Sequence, residues 1–141
     1  HRPLLATRAS QYDPRVRSRI ERGATMSASD YIDLLNARQH WIVRMEAALA
    51  PYDALLSPTV PLVAPPIADV APGAERDAEF FRINALLLRN TSVVNMLDGC
   101  ALSLPCHMAG ELPVGLMVWH GALHDDAVLN VGLQIEQILQ K

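Results

Sequence analysis

Apolar residues fall at helical spacing through the stretch SASDYIDLLNARQHWIVRMEAALAPYD. Tyr31, Leu34, Leu35, Trp41, Ile42, Met45 and Leu49, with Arg38 among them, recur every three to four positions, the period of an amphipathic helix. Ser27 and Asp30, three residues on, form an approximate capping box before the run, and Pro51 ends it. This is predicted to be the longest helix, packed along one side, with Trp41 in the core and His40 on the surface. An earlier helix opens at Asp13-Pro14, where Asp can cap and Pro suits the first helical position. Val16 and Ile20 share its face, and Gly23 suits its end. Arg15, Arg17, Arg19 and Arg22 read as a solvated face. His1 to Gln11 shows no period and reads as a connector.

After Pro51 the pattern changes. DALLSPTVPLVAPPI holds a short apolar strand, Ala54 to Ser57. Pro58, Pro61, Pro65 and Pro66 then deny the backbone regular ladder bonds. ERDAEFFRINALLLRN is helical, with Phe80, Ile83 and Leu87 on one face. Thr91 reads as the cap of a short helix, TSVVNMLDG, that Gly99 stops. CALSLPC and LPVGLMVW are two strands joined by the loop from Cys106 to Leu112, a pattern that pairs as an antiparallel hairpin. HDDAVLNVGLQIEQILQ is an amphipathic helix opened by Asp125. The order predicts an α/β fold: a small mixed sheet of about three strands with flanking helices. The first strand needs a crossover to join the other two. Residues 1–12 read as connector, 13–50 as helices, and 51–141 as strand, helix, strand, strand, helix, all in one segment. So thin a sheet is expected to be the edge of a larger one, with apolar side chains along Val114–Trp119 exposed for it.

Composition narrows the class. Half of the 141 residues are apolar, which suits a packed domain and argues against disorder. A formal charge of -3 and a pI near 5.9 leave no basic footprint for nucleic acid. No apolar run reaches membrane-spanning length. Two cysteines are too few for a disulfide framework and favour a cytoplasmic setting. The chain opens without Met and reads as a piece of something longer. Lys141 is its single lysine, so a mechanism that needs a buried lysine must find it in another segment.

The stretch SLPCHMAGELPVGLMVWH carries the most suggestive chemistry. Cys106 and His107 are adjacent, but neighbouring residues in an extended segment point to opposite faces. A thiolate–imidazole pair needs hydrogen-bond reach. Cys106, His107, His120 and His124 lack the tight, repeated spacing of a zinc site. Ser103 lies on a strand without a Gly-x-Ser-x-Gly elbow and reads as a packed small residue. Alternation places Cys100, Leu102, Leu104 and Cys106 on one strand face, so both cysteines read as small core residues. No catalytic residue, metal or cofactor is expected in this chain.

Three stretches carry a resemblance to a known family. DALLSPTVPLVAPPI resembles the D-x-L-L-x-P-T-x-P-x-x-A-P-x-I stretch of amidase signature enzymes. NTSVVNMLDGCALSLPC resembles their T-x-x-x-N-x-x-G-x-P-A-x-S-x-P-C stretch. ELPVGLMVWHGALHDDAVLNVGLQIEQIL resembles G-L-P-V-G-L-Q-L-I-G followed by the last helix. The likeness runs from about Asp13 to the end. Cys100, His107-Met108 and Trp119-His120 depart from the pattern, which leaves the subfamily and the amide open.

The resemblance implies the C-terminal portion of an amidase and a larger central sheet in which the two apolar runs are neighbouring strands. It implies hydrolysis of a carboxamide by a serine nucleophile, a second serine in a cis peptide and a lysine base. Their Gly/Ser-rich signature is absent here, so the segment alone is expected to be inactive. Mapped residue by residue, Thr91, Val94 and Asn95 are expected to line the substrate pocket. Arg19 matches an arginine in the family's R-R-I pattern that holds a substrate carboxylate, a task suited to a bidentate guanidinium; Ser18 replaces the first arginine. Expected partners are a small amide substrate, the N-terminal portion of the same enzyme and a second copy in a homo-oligomer. Two other readings are a non-catalytic binding or scaffolding module and a subunit of a split amidase or amidotransferase.

Overall fold

A computed structural model describes residues 1–139. They divide into two compact units, His1–Gln39 and the part from His40 on.

In the first unit, helix α1 (Arg2–Arg8) and a 3-10 turn (Ala9–Gln11) occupy the stretch read as a connector. Helix α2 (Pro14–Arg22) starts where the caps predict: the Asp13 carboxylate accepts from the Arg15 and Val16 amides at 2.8 and 3.1 Å. Helix α3 (Ala28–Leu49) begins with the capping box closed. The Asp30 amide donates to Ser27 Oγ at 3.1 Å, and the Ser27 amide donates to Asp30 Oδ2 at 3.2 Å. Two readings need correction. Arg15 is only 9% exposed, whereas Val16 is 51% exposed, so α2 turns an arginine rather than its valine inward. Tyr31 and Leu34, which continue the apolar stripe of α3, are exposed, as is Leu35. A period marks a face that could be buried; it does not supply the surface that buries it.

The second unit holds the sheet. Strands β1 (Leu55–Pro58), β2 (Cys100–Pro105) and β3 (Gly115–His120) lie in the order β1-β3-β2. The predicted hairpin is β2–β3, with Ser103 opposite Met117 and Cys100 opposite His120. β1 pairs with the other side of β3, with Leu55 opposite Trp119 and Ser57 opposite Met117. Both ladders are antiparallel, so the three strands contain no adjacent parallel pair. The crossover nevertheless exists. Helices α4 (Ile67–Val70), α5 (Asp77–Arg89) and α6 (Thr91–Met96) carry the chain from β1 to β2. Those two strands therefore run the same way, and β3 inserts between them.

Each face of the sheet buries one set of alternate side chains. On one face Leu55, Met117 and Trp119 pack with Ile42 and Leu49 of α3 and with Val94 and Leu97 at the α6 end. On the other, Cys100, Leu102, Leu104 and Val118 pack under Val128, Val131 and Ile135 of helix α7 (Asp125–Leu139). Gly132 lets α7 settle onto the Leu102 side chain. Because β3 is central, Met117 and Val118 are buried rather than exposed as expected, Trp119 is buried beside them, and Val114, just before the strand, is exposed. Cys106 lies past the end of β2 and is exposed. No helix among the described residues is long and apolar enough to cross a membrane.

The turn between α6 and β2 shows why both of its residues are needed. The Asp98 amide donates to the Asn95 carbonyl and the Gly99 amide to the Val94 carbonyl, at 3.3 and 3.0 Å, the paired bonds of a Schellman motif. The left-handed residue is Asp98, with φ 51°. Gly99 serves another purpose: a side chain there would strike the His120 carbonyl.

Candidate functional site

Helix α6 carries three of the four residues expected at a pocket. It follows α5 after a single residue, Asn90, which is its N-cap position and makes no side-chain cap bond. Thr91 is therefore the first helical residue and not the cap. Its hydroxyl donates backward to the Leu88 carbonyl at 3.4 Å, and the residue is half-buried. Val94 is 6% exposed and sits in the core against the sheet. Asn95, one position on, is exposed. Thr91 and Asn95 are four apart and share a flank of the helix; Val94 is turned to the sheet beneath them. Arg19 lies in α2, in the other unit, and is exposed.

The end of β1 brings in residues that sequence reasoning left out of the site. The Thr59 amide donates to the Gly115 carbonyl at 2.8 Å and extends the ladder past Pro58. The Thr59 and Ser103 hydroxyls then meet at 2.6 Å. They span β3 at Gly115, where an added Cβ would lie 2.6 Å from Ser103 Oγ and 2.7 Å from Thr59 Oγ1. Only glycine leaves that space. On its outer edge β1 is held by Asn90, whose Nδ2 donates to the Pro58 carbonyl at 2.8 Å. Ser57 Oγ is buried and has no hydrogen-bond partner. Thr59 and Ser103 both stand at fixed positions of the amidase-like stretches, in P-T-x-P and S-x-P; that was the available signal. Beside them Pro58, Val60, Leu62, Val63, Val114 and Gly115 line an open, apolar cleft of about 320 Å³.

The other chemical candidates are engaged structurally. The Cys106 thiol points to the Val114 carbonyl at 3.5 Å, and the Cys100 thiol to the Gly121 carbonyl at 3.4 Å. The Gly121 amide donates to His120 Nδ1 at 2.7 Å. The network therefore assigns the ring proton to Nε2, which donates to the Tyr52 carbonyl at 3.1 Å. A His120 with both nitrogens occupied has none left for a metal. Among the described residues no three His, Cys, Asp or Glu side chains form a metal-holding group. Ser103 pairs with a threonine rather than a base, so the site can position and hydrogen-bond but has no activated nucleophile. Lys141 lies outside the described residues.

A family model described as Amidase matches residues 2–129. The chain belongs to the Amidase family. Among curated relatives, it is 30% identical to a glutamyl-tRNA(Gln) amidotransferase subunit of Salinispora tropica, over 96% of this chain and 27% of that protein. It is 26% identical to 2-amino-5-chloromuconic acid deaminase of Comamonas testosteroni, over 94% of this chain and 28% of that one. A crystal structure of an amidase superposes with a TM-score of 0.75 at 28% identity, over 97% of this chain and 31% of the other. The chain thus spans little more than a quarter of the length of these Amidase relatives. The motifs read from its sequence place it in their C-terminal portion.

Proposed function

We propose that this Amidase-family chain is the part of a linear-amide hydrolase that supplies one wall of the substrate pocket, while the nucleophilic serine, the cis-peptide serine and the lysine base lie on a separate segment. The superposition on an amidase along 97% of the chain supports this reading most. The geometry agrees with a wall rather than an engine: Thr91 and Asn95 present polar groups on one flank of α6, with Val94 anchoring it from below. Thr91 and Asn95 then contact the amide, and a carboxylate-holding role for Arg19 rests on its match to the R-R-I pattern alone. The two free thiols suit a cytoplasmic setting. A homo-oligomer is compatible with this reading.

The relatives named as amidotransferase subunits favour a second reading, in which the whole protein works within a multi-subunit amidotransferase. Ammonia release from a panel of aliphatic and aryl amides tests the first. The isolated chain is expected to release none, because amide hydrolysis needs nucleophile, proton shuttle and oxyanion donors together. A full-length protein that contains the paired serines and lysine is expected to turn over. Hydrolysis by the isolated chain, or a parent lacking those residues, overturns the proposal. Activity that appears only when a partner protein is present favours the second reading.

A further inference from the structure

Helix α6 cannot position itself. Six residues are too few to form a stable helix alone, and its start lacks a side-chain cap. Val94 and Leu97 press it onto the sheet, but apolar contact is non-directional. It sets the height of a helix and leaves its slide and rotation loose. Directional bonds must supply the rest.

Those bonds converge on the end of β1. The ladder reaches Thr59, whose amide bonds the Gly115 carbonyl; beyond it the prolines at 61, 65 and 66 prevent further ladder bonds, so the strand end is prone to fray. Two side-chain bonds fasten it. The Thr59–Ser103 hydroxyl pair ties it to β2 across the Gly115 notch. The Asn90–Pro58 bond ties it to the first turn of α6. β2, β1 and α6 thereby form one chain of directional contacts that ends beside Thr91.

We propose that Thr59, Ser103 and Asn90 are positioning residues: they fix the start of α6 and so the flank that carries Thr91 and Asn95. The inference rests on the proposed pocket role of that flank, but its structural half can be tested without it. In the protein of this sequence, amide hydrogen exchange is measured for Thr91–Met96 and for α7 as the control. Thr59→Val and Asn90→Ala are each expected to speed exchange in α6 about five- to tenfold, the loss of one modest hydrogen bond, with α7 unchanged. Thr59→Ser, which keeps the hydroxyl, restores the original rates. Unchanged α6 rates, or equal acceleration in α7, overturn the proposal.

In the full-length enzyme the same variants are expected to raise KM more than they lower kcat, again with rescue by Thr59→Ser. Equal loss in both parameters, or no loss in either, counts against positioning. A wild-type enzyme with no amide hydrolysis defeats the proposed function instead, and the exchange rates still decide this inference.

Discussion

His120 Nε2 donates to the backbone carbonyl of Tyr52, 68 residues away in sequence, at 3.1 Å. The bond joins the end of the central strand to the loop that follows α3. His120 is buried, and its ring stacks on His124 with centroids 3.8 Å apart. His120→Ala removes the ring and leaves two backbone groups, the Tyr52 carbonyl and the Gly121 amide, without these partners. We expect a loss of about 2–4 kcal/mol, read as a fall in the urea midpoint at constant m. An unchanged midpoint contradicts the assigned network.

The Asp98–Gly99 turn makes two separable demands. Gly99→Ala drives a methyl group into the His120 carbonyl, a backbone atom of the central ladder that cannot swing away. A cost of about 3 kcal/mol, the upper end for overpacking, is expected. Asp98→Val puts a β-branched residue at φ 51° and is expected to cost about 1–2 kcal/mol. Thermal unfolding of the two variants separates close approach from backbone strain.

Sequence period alone makes Leu34 and Leu49 equivalent members of one stripe on α3. Leu49 is 2% exposed and Leu34 53%. Leu49→Ala is therefore expected to cost about 2–4 kcal/mol, and Leu34→Ser to stay within about 0.5 kcal/mol. Equal effects at the two positions would show that something covers the first half of the helix in solution.

Hydrogen bonds from Ser27, first from its hydroxyl and then from its backbone amide, hold the Asp30 carboxyl below the usual carboxylate range. A folded pKa below the unfolded one stabilises the protein above the unfolded value, and the effect fades as pH falls through the folded value. Wild-type stability is thus expected to drop below about pH 4 more steeply than that of Asp30→Asn. Parallel urea titrations at neutral and acidic pH measure the difference. Identical pH profiles would mean that the capping box does not persist in solution.

What the sequence determined by itself was the local grammar. Asp13, Ser27 and Asp30 announced two helix starts, and the two apolar runs around the Cys106–Leu112 loop announced the hairpin. The order strand, helices, strand required a crossover, and the spaced prolines and glycines carried the family. Each of these signals acts within a few residues, through a cap, a turn or a side-chain period, so each survives without knowledge of the rest of the chain.

Tertiary structure decided where those elements spend their faces. It placed β3 between β1 and β2, turned Arg15 in and Val16 out, and covered only the second half of the α3 stripe. It also turned Val94 to the sheet while Asn95 stayed open. The bonds that fasten the candidate site join residues 32 and 44 positions apart, Asn90 to Pro58 and Ser103 to Thr59. No local pattern encodes such pairs. They depend on strand register and on the absence of a side chain at Gly115, which become visible only when three distant segments lie side by side.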